Sequence, residues 1–173
     1  MKPSLRPKLK QIRLLLLDVD GVLTDGSIIY SDSGNETKRF NVKDGLGIRL
    51  LMESGIKVGI VTGRDSKALM YRCKNLGISA IYTAVRDKAG MLDRIIEAVG
   101  GATETTAYMG DDLPDIALMD RVGLSIAVAD AHEHVRRHAD WVTAAKGGCG
   151  AVREVCEMLL QAQGLWDKIV ERF

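Results

Sequence analysis

The chain has 173 residues, close to the usual size of one domain and long enough to bury roughly 70% of the surface its unfolded form exposes. Its 24 basic and 23 acidic residues leave a net charge of +1, a balance that singles out neither nucleic acid nor an anionic membrane as partner. No apolar run approaches the roughly 18 residues that a membrane-spanning helix needs.

A basic N-terminus (Lys2, Arg6, Lys8, Lys10, Arg13) precedes an apolar run that ends in Asp18 and Asp20 and is too short for the core of a signal peptide. The pattern predicts a buried strand over 12–17, then a hairpin whose arms, 28–30 and 37–40, flank Ser-Asp-Ser-Gly-Asn. A helix over 46–54 stops at Gly55, and a β-branched strand covers 57–61. A helix over 66–76 stops at Gly77, a short strand covers 80–82, and a helix over 88–99 ends at Gly100 and Gly101. Strands at 106–109, 124–129 and 141–143 then alternate with helices at 113–120, 131–138 and 151–163. Cys73, Cys149 and Cys156 are odd in number and form no CxxC pair, which predicts reduced, buried thiols and a cytoplasmic protein.

Strands alternating with helices predict an α/β fold: a doubly wound, mostly parallel sheet with helices on both faces, in one domain over 1–173 with a tail from about 164. Ligands of such sheets bind outside the carboxyl ends of the strands. Four polar clusters fall at those ends: the run from Asp18 and Asp20 to Gly26, the triplet Thr62-Gly63-Arg64, Lys88 at a helix start, and Gly110-Asp111-Asp112. Carboxylates gathered at one edge repel one another unless a cation neutralises them, and Mg²⁺ takes a few carboxylates together with a phosphate oxygen. A carboxylate can also attack phosphorus, and a second one can protonate the leaving oxygen and later deprotonate water. Thr62, the Gly63 N–H and Lys88 would meet the charge of a phosphate.

Taken in order, DVDGVLTDG, VTGR, Lys88 and GDDLPD resemble the four motifs of the haloacid dehalogenase superfamily, over nearly the whole chain. The resemblance implies a Rossmann-like fold and a phosphatase with Asp18 as nucleophile and metal ligand. Asp20 would be the acid/base and lend its carbonyl to the metal. Thr62 and Lys88 would hold the phosphate, Asp111 would bind Mg²⁺ with Asp112 in support, and Asp115 would orient Lys88. A phosphorylatable receiver-like module also uses Asp, Thr and Lys at a sheet edge. Its acidic pair opens the chain and its phosphorylated Asp sits on a later strand, whereas here the DxD pair comes first.

The gaps between motifs hold only a hairpin and a helix on one side and a helix and a short strand on the other, so no cap domain is expected and the hairpin would serve as a flap. The blocks FNVKDGLGIRL, VGLSIAVADAH and GGCGAVREVCEMLL are similar to the capless subgroup that acts on phosphates of eight-carbon 2-keto sugar acids, with nine-carbon sialic-acid-type phosphates as the alternative. That resemblance implies substrate contacts from Asn41, Val42, Lys43, Asp44, Gly45, Arg49, Arg64 and Arg72. Arg64 and Arg72 are eight residues apart, which on one helix places them on one face and suits two guanidiniums to a substrate carboxylate. The run Thr83-Ala84-Val85-Arg86-Asp87 stands where the subgroup often has a Gln-Gly-rich run. His134 and His138, with His132 nearby, are read as a solvated helix face rather than a metal site. A capless site is open, so a homotetramer is expected. In it the exposed hairpin would pack against neighbours and the segment from Gly147 to Phe173 would reach toward an adjacent site.

Overall fold

The structure is a computed structural model that describes residues 5–173. In chain order it contains α1 (Leu5–Gln11), β1 (Leu14–Leu17), β2 (Ile29–Tyr30), β3 (Glu36–Thr37), α2 (Val42–Glu53), β4 (Lys57–Val61), α3 (Lys67–Leu76) and β5 (Ala80–Tyr82). There follow α4 (Leu92–Val99), β6 (Thr106–Gly110), α5 (Ile116–Met119), β7 (Leu124–Ala127), α6 (Glu133–His138), β8 (Trp141–Val142), α7 (Ala151–Ala162) and α8 (Trp166–Val170). Six strands form one sheet in the order β5-β4-β1-β6-β7-β8, and every neighbouring pair is parallel. β2 and β3 form a separate antiparallel hairpin.

β1 lies at the centre and its four leucines are all buried, as expected of a parallel strand covered on both faces. The chain leaves β1 toward β4 and β5, then returns to β6 on the other side and continues to β7 and β8. The order therefore reverses between β1 and β6, and this switch point is where open α/β sheets bind ligands. Leu17 pairs with both Ile60 and Met109, so the residues that follow β1, β4 and β6 leave the sheet at one level.

Several expected boundaries move for identifiable reasons. α2 begins at Val42 instead of 46, because Asn41 caps it by accepting the Lys43 N–H at 2.8 Å. Its glycines are tolerated because they meet neighbours. A Cβ on Gly45 would strike the Arg72 guanidinium, and one on Gly47 would press on Arg153 and Cys156 of α7. α4 begins at Leu92 and not at Lys88, since Asp87 accepts the Gly90 N–H at 2.9 Å and holds a turn there. Residues 113–115 form a 3₁₀ turn ahead of α5. Arg64 precedes α3, whose N-cap is Ser66, so Arg64 and Arg72 do not share a helix face.

α1 and α8 were not anticipated. α1 buries Leu5 and Leu9 and packs against α7. The C-terminal segment docks on its own chain: Ile169 is buried, Trp166 lies beneath the Arg153 guanidinium, and Arg172 pairs with Glu53 at 3.1 Å. Phe173 is exposed. Of the three free cysteines, Cys73 and Cys156 are buried while Cys149 is exposed, which corrects the expectation of three buried thiols. No helix among the described residues is long and apolar enough to cross a membrane.

Candidate active site

The four polar clusters line one cleft of about 540 Å³ at the carboxyl edge of the sheet. From the loop after β1 come Asp18 and Asp20; from the loop after β4 come Thr62, Gly63 and Arg64. Lys88 enters from beyond β5, and Asp111, Asp112 and Asp115 from beyond β6. The loop after β1 is tightly built. The Val22, Leu23 and Thr24 N–H groups all point to the Val19 carbonyl, and Thr24 Oγ1 accepts from Gly21 and Gly26 at 3.3 and 3.2 Å. Gly21 holds φ at 86°, and a Cβ there would collide with the Asp111 carboxylate. Glycine at this position is therefore required twice over, by backbone conformation and by space.

Lys88 is buried and its ammonium is surrounded by oxygens. Nζ donates to Asp115 Oδ1 at 2.7 Å and to Tyr108 Oη at 3.2 Å, and it lies 3.0 Å from Asp18 Oδ1. The contact to Asp18 is an ion pair without hydrogen-bond alignment, and Asp18 Oδ1 has no aligned partner. Asp115 is saturated. Its Oδ1 also accepts the Tyr108 hydroxyl at 2.5 Å, and its Oδ2 accepts the Asp111 and Asp112 N–H groups at 2.8 and 3.1 Å. Burial opposes the charge on Lys88, but Asp18 and Asp115 more than offset it and hold its pKa above the usual lysine value.

The carboxylates show the converse. Burial, helped by the Asp115 charge and only partly offset by Lys88 and the Val19 backbone, pushes Asp18 up to about 6. Burial and the neighbouring charges of Asp18, Asp115 and Asp112 push Asp111 up to about 8. Asp18, Asp111 and Asp115 can each place an oxygen within 4.8 Å of the others. Asp115 has both oxygens committed, so Asp18 and Asp111 are the two with capacity left. A divalent cation fits between them, since crowded acids lacking a counter-charge are the condition that such an ion relieves. Asp112 is exposed and spends Oδ1 on the Leu113 N–H at 2.8 Å.

The remaining expected substrate residues lie elsewhere. Asp44 is 1% exposed and points away from the cleft. It accepts the Gly150 and Arg153 N–H groups at 3.3 and 2.8 Å, capping α7. Arg49 and Arg72 line a separate groove with Val42 and Gly45. There Arg49 donates to the Asn75 carbonyl at 2.8 Å, and Arg72 to the Asn41 carbonyl at 3.0 Å while resting over the Phe40 ring. Asn41 Nδ2 donates to the Gly148 carbonyl at 3.3 Å, and Lys43 is exposed. Three residues beside the cleft escaped the sequence reading: Tyr108, Glu36 and Lys38. A tyrosine inside an otherwise apolar strand was the one signal available for Tyr108, because a buried phenol needs a partner.

Residues 79–154 match the model of the haloacid dehalogenase-like hydrolases. The chain is 49% identical over 168 residues to the 3-deoxy-D-manno-octulosonate 8-phosphate phosphatase of Salmonella typhimurium, covering 97% of this chain and 89% of the relative. It is 50% identical over 161 residues to the enzyme of that name from Escherichia coli K12, covering 93% and 86%. The phosphatase of that name from Moraxella catarrhalis, solved with magnesium, phosphate and KDO, superposes with a TM-score of 0.97 at 43% identity, covering 100% and 99%. A cobalt-bound phosphatase from Haemophilus influenzae superposes with a TM-score of 0.89 at 42% identity, covering 92% and 93%. The chain therefore belongs to the haloacid dehalogenase-like hydrolases, and within them to the family of the 3-deoxy-D-manno-octulosonate 8-phosphate phosphatases. The receiver-like alternative falls with that assignment.

Proposed function

We propose that the chain hydrolyses 3-deoxy-D-manno-octulosonate 8-phosphate to the free sugar acid and inorganic phosphate with Mg²⁺, the phosphoryl group passing through Asp18. One observation carries this reading: Asp18 is buried at the switch point with Oδ1 3.0 Å from the Lys88 ammonium, and its carboxylate lines the cleft. Such a carboxylate is held in place and still free to form a bond to phosphorus.

Lys88, fixed by Asp115 and Tyr108, meets the charge on the phosphoryl oxygens, and the Thr62 hydroxyl and Gly63 N–H add donors. Asp20 gives a proton to the leaving sugar oxygen and later takes one from the water that cleaves the acyl phosphate. Asp18, Asp111 and the Asp20 carbonyl, with Asp112 in support, would hold Mg²⁺, which would supply charge neutralisation at the phosphate. Similarity to phosphatases named for this substrate supports the choice of sugar, which implies a role in building lipopolysaccharide precursors. The free cysteines accord with a reducing, cytoplasmic setting.

The cleft is open and its chain brings no cap domain over it. Ile28, Ile29 and Tyr30 on the hairpin, and Val42, Leu46, Met70 and Tyr71 beside the Arg49–Arg72 groove, are exposed. That much apolar surface favours assembly, and we read the protein as a homotetramer whose neighbours bring the exposed Val42 and Lys43, with Arg49 and Arg72, to the sugar acid. The test is phosphate release across a panel of sugar-acid phosphates with and without chelation. The eight-carbon substrate should give the highest kcat/KM, and release should require Mg²⁺. Preference for a nine-carbon keto-acid phosphate, or turnover that survives rigorous chelation, would overturn the reading.

A further inference from the structure

The hairpin turns two charged side chains back toward the cleft. Lys38, just beyond β3, has 2% of its side chain exposed, and its ammonium donates to Asp20 Oδ1. Glu36 Oε1 lies 3.3 Å from the same ammonium, and Glu36 Oε2 accepts from Arg64 at 2.5 Å. Arg64 closes the circuit, with Nε 3.4 Å from Asp20 Oδ2. Two cations and two anions thus alternate around a ring, and a lysine this deeply buried is tolerated because it is paired.

The ring is not saturated. Asp20 Oδ2, Glu36 Oε1 and Arg64 Nε are three of the five buried side-chain polar atoms that lack an aligned hydrogen-bond partner among the described residues. Each of the three faces an opposite charge without hydrogen-bond alignment, Glu36 Oε1 at 3.3 Å from Lys38 and Asp20 Oδ2 at 3.4 Å from Arg64 Nε, so the ring is held by charge and its bonding capacity is not fully used. Lys38 occupies Oδ1 of Asp20, and the oxygen left without an aligned partner is Oδ2. A carboxylate that must hand over a proton needs one oxygen anchored; Oδ2 makes no aligned bond, its charged neighbour being Arg64 Nε at 3.4 Å, so it is the oxygen left to carry the proton.

We propose that Lys38 is a positioning residue for Asp20: by holding Oδ1 it presents Oδ2 to the leaving oxygen of the substrate, and Glu36 balances the lysine charge so that the clamp does not itself attract phosphate. The proposal rests on the reading of Asp20 as the acid/base. In the step concerned, the bond from phosphorus to the sugar oxygen breaks as the bond from phosphorus to Asp18 forms. Asp20, an anion in the ring described above, enters this step protonated on Oδ2, and that proton passes to the departing oxygen, so charge and atoms balance. Lys38 touches none of the reacting atoms.

Leaving-group dependence separates this role from a merely structural one. A sugar alkoxide needs a proton to depart, whereas p-nitrophenolate does not, and kcat/KM reports the step in which the leaving group departs. General acid catalysis contributes on the order of 10²- to 10⁴-fold, and a misaimed acid forfeits part of it. Lys38→Met should lower kcat/KM on 3-deoxy-D-manno-octulosonate 8-phosphate roughly 10- to 100-fold and on p-nitrophenyl phosphate less than about threefold. Lys38→Arg should restore most of the loss, and Lys38→Met/Asp20→Asn should be no worse than Asp20→Asn. Lys38→Gln serves in place of Lys38→Met should that variant melt early. Equal losses on both substrates, or no loss on either, would overturn the proposal. If Asp20→Asn itself leaves the ratio between the two substrates unchanged, the assignment of Asp20 fails. If Asp20→Asn shifts the ratio and the Lys38 variants do not, only the role of Lys38 fails.

Discussion

The Lys88 ammonium rests on Asp115, 2.7 Å from an oxygen that also accepts the Tyr108 hydroxyl. Asp115 is in turn fixed by the backbone of Asp111 and Asp112. The cation that faces Asp18 is thereby tied to the same loop that presents Asp111.

Asp18→Asn tests the nucleophile. The amide retains the shape and loses the attacking oxygen, so turnover should fall at least about a thousandfold, with an unchanged circular dichroism spectrum. Near-normal turnover by a folded variant would exclude covalent catalysis at this position.

Metal and proton should compete. Asp18 and Asp111 hold folded pKa values of about 6 and about 8, above the ordinary aspartate value of about 4. Between those limits the metal-free folded state binds more protons than the unfolded state, so stability contributed by these groups is present at low pH and lost as pH rises toward 8. Mg²⁺ should reverse the trend. At a hundredfold excess over its dissociation constant it should raise Tm by roughly 5–10 °C, and by more at pH 8 than at pH 6. Asp111→Asn should flatten the metal-free profile. A magnesium effect that is largest at pH 6 would contradict this account.

Arg72 tests the assembly. It lies outside the cleft of its own chain, so a role in reading the substrate carboxylate requires a neighbour. Light scattering should give a mass near four chains of 18.9 kDa. Arg72→Ala should then cost roughly 10- to 150-fold in kcat/KM on the sugar-acid phosphate, the usual worth of a charged hydrogen bond, and little on p-nitrophenyl phosphate. A fully active monomer would remove the neighbour from the mechanism.

Asp44→Ala should destabilise the fold by about 1–3 kcal/mol, because two buried N–H groups at the start of α7 lose their acceptor. Urea denaturation measures this directly. Unchanged stability with a large rise in KM would return Asp44 to the substrate site.

Ala84 holds φ at 54° between β5 and Lys88, the one non-glycine residue in the left-handed region among the described residues. Ala84→Gly should relieve that strain and add about 1 kcal/mol, read from the urea midpoint. A lower midpoint would show that the entropy of the unfolded glycine chain outweighs the relief.

Much of the frame was legible because it is written in local pattern. β4 and β5 keep their expected bounds at 57–61 and 80–82, each beginning shortly after a glycine that ends a helix. The clusters around Asp18, Thr62, Lys88 and Asp111 converge because strand ends in a parallel sheet must. What could not be read depends on contacts between distant segments. Arg64 and Arg72 fit one helix face only if a single helix covers both, and the expected helix over 66–76, like α3 with its Ser66 cap, leaves Arg64 outside. The motif from Asn41 to Gly45 looked like a single recognition segment. Its residues instead divide: the Asn41 side chain caps α2, the Asp44 side chain caps α7, and the Asn41 carbonyl and bare Gly45 bed Arg72. Nothing within residues 36–38 announces that Lys38 meets Asp20, since that contact exists only once the hairpin folds back.

The cap that Asp44 places on α7 has a consequence for reading variation. Its partners are main-chain N–H groups, which every non-proline residue supplies, so these hydrogen bonds ask nothing of the side chains at 150 and 153, although Gly150, with φ at 104°, resists replacement on its own account. Asp44 itself cannot drift as freely. An invariance score would rank it beside Asp18 and Asp111 and credit it with chemistry. An engineer recoding the surface of α7 would find that a change at 153 gives up the contact with Trp166 but leaves the joint intact, whereas a change at 44 breaks it.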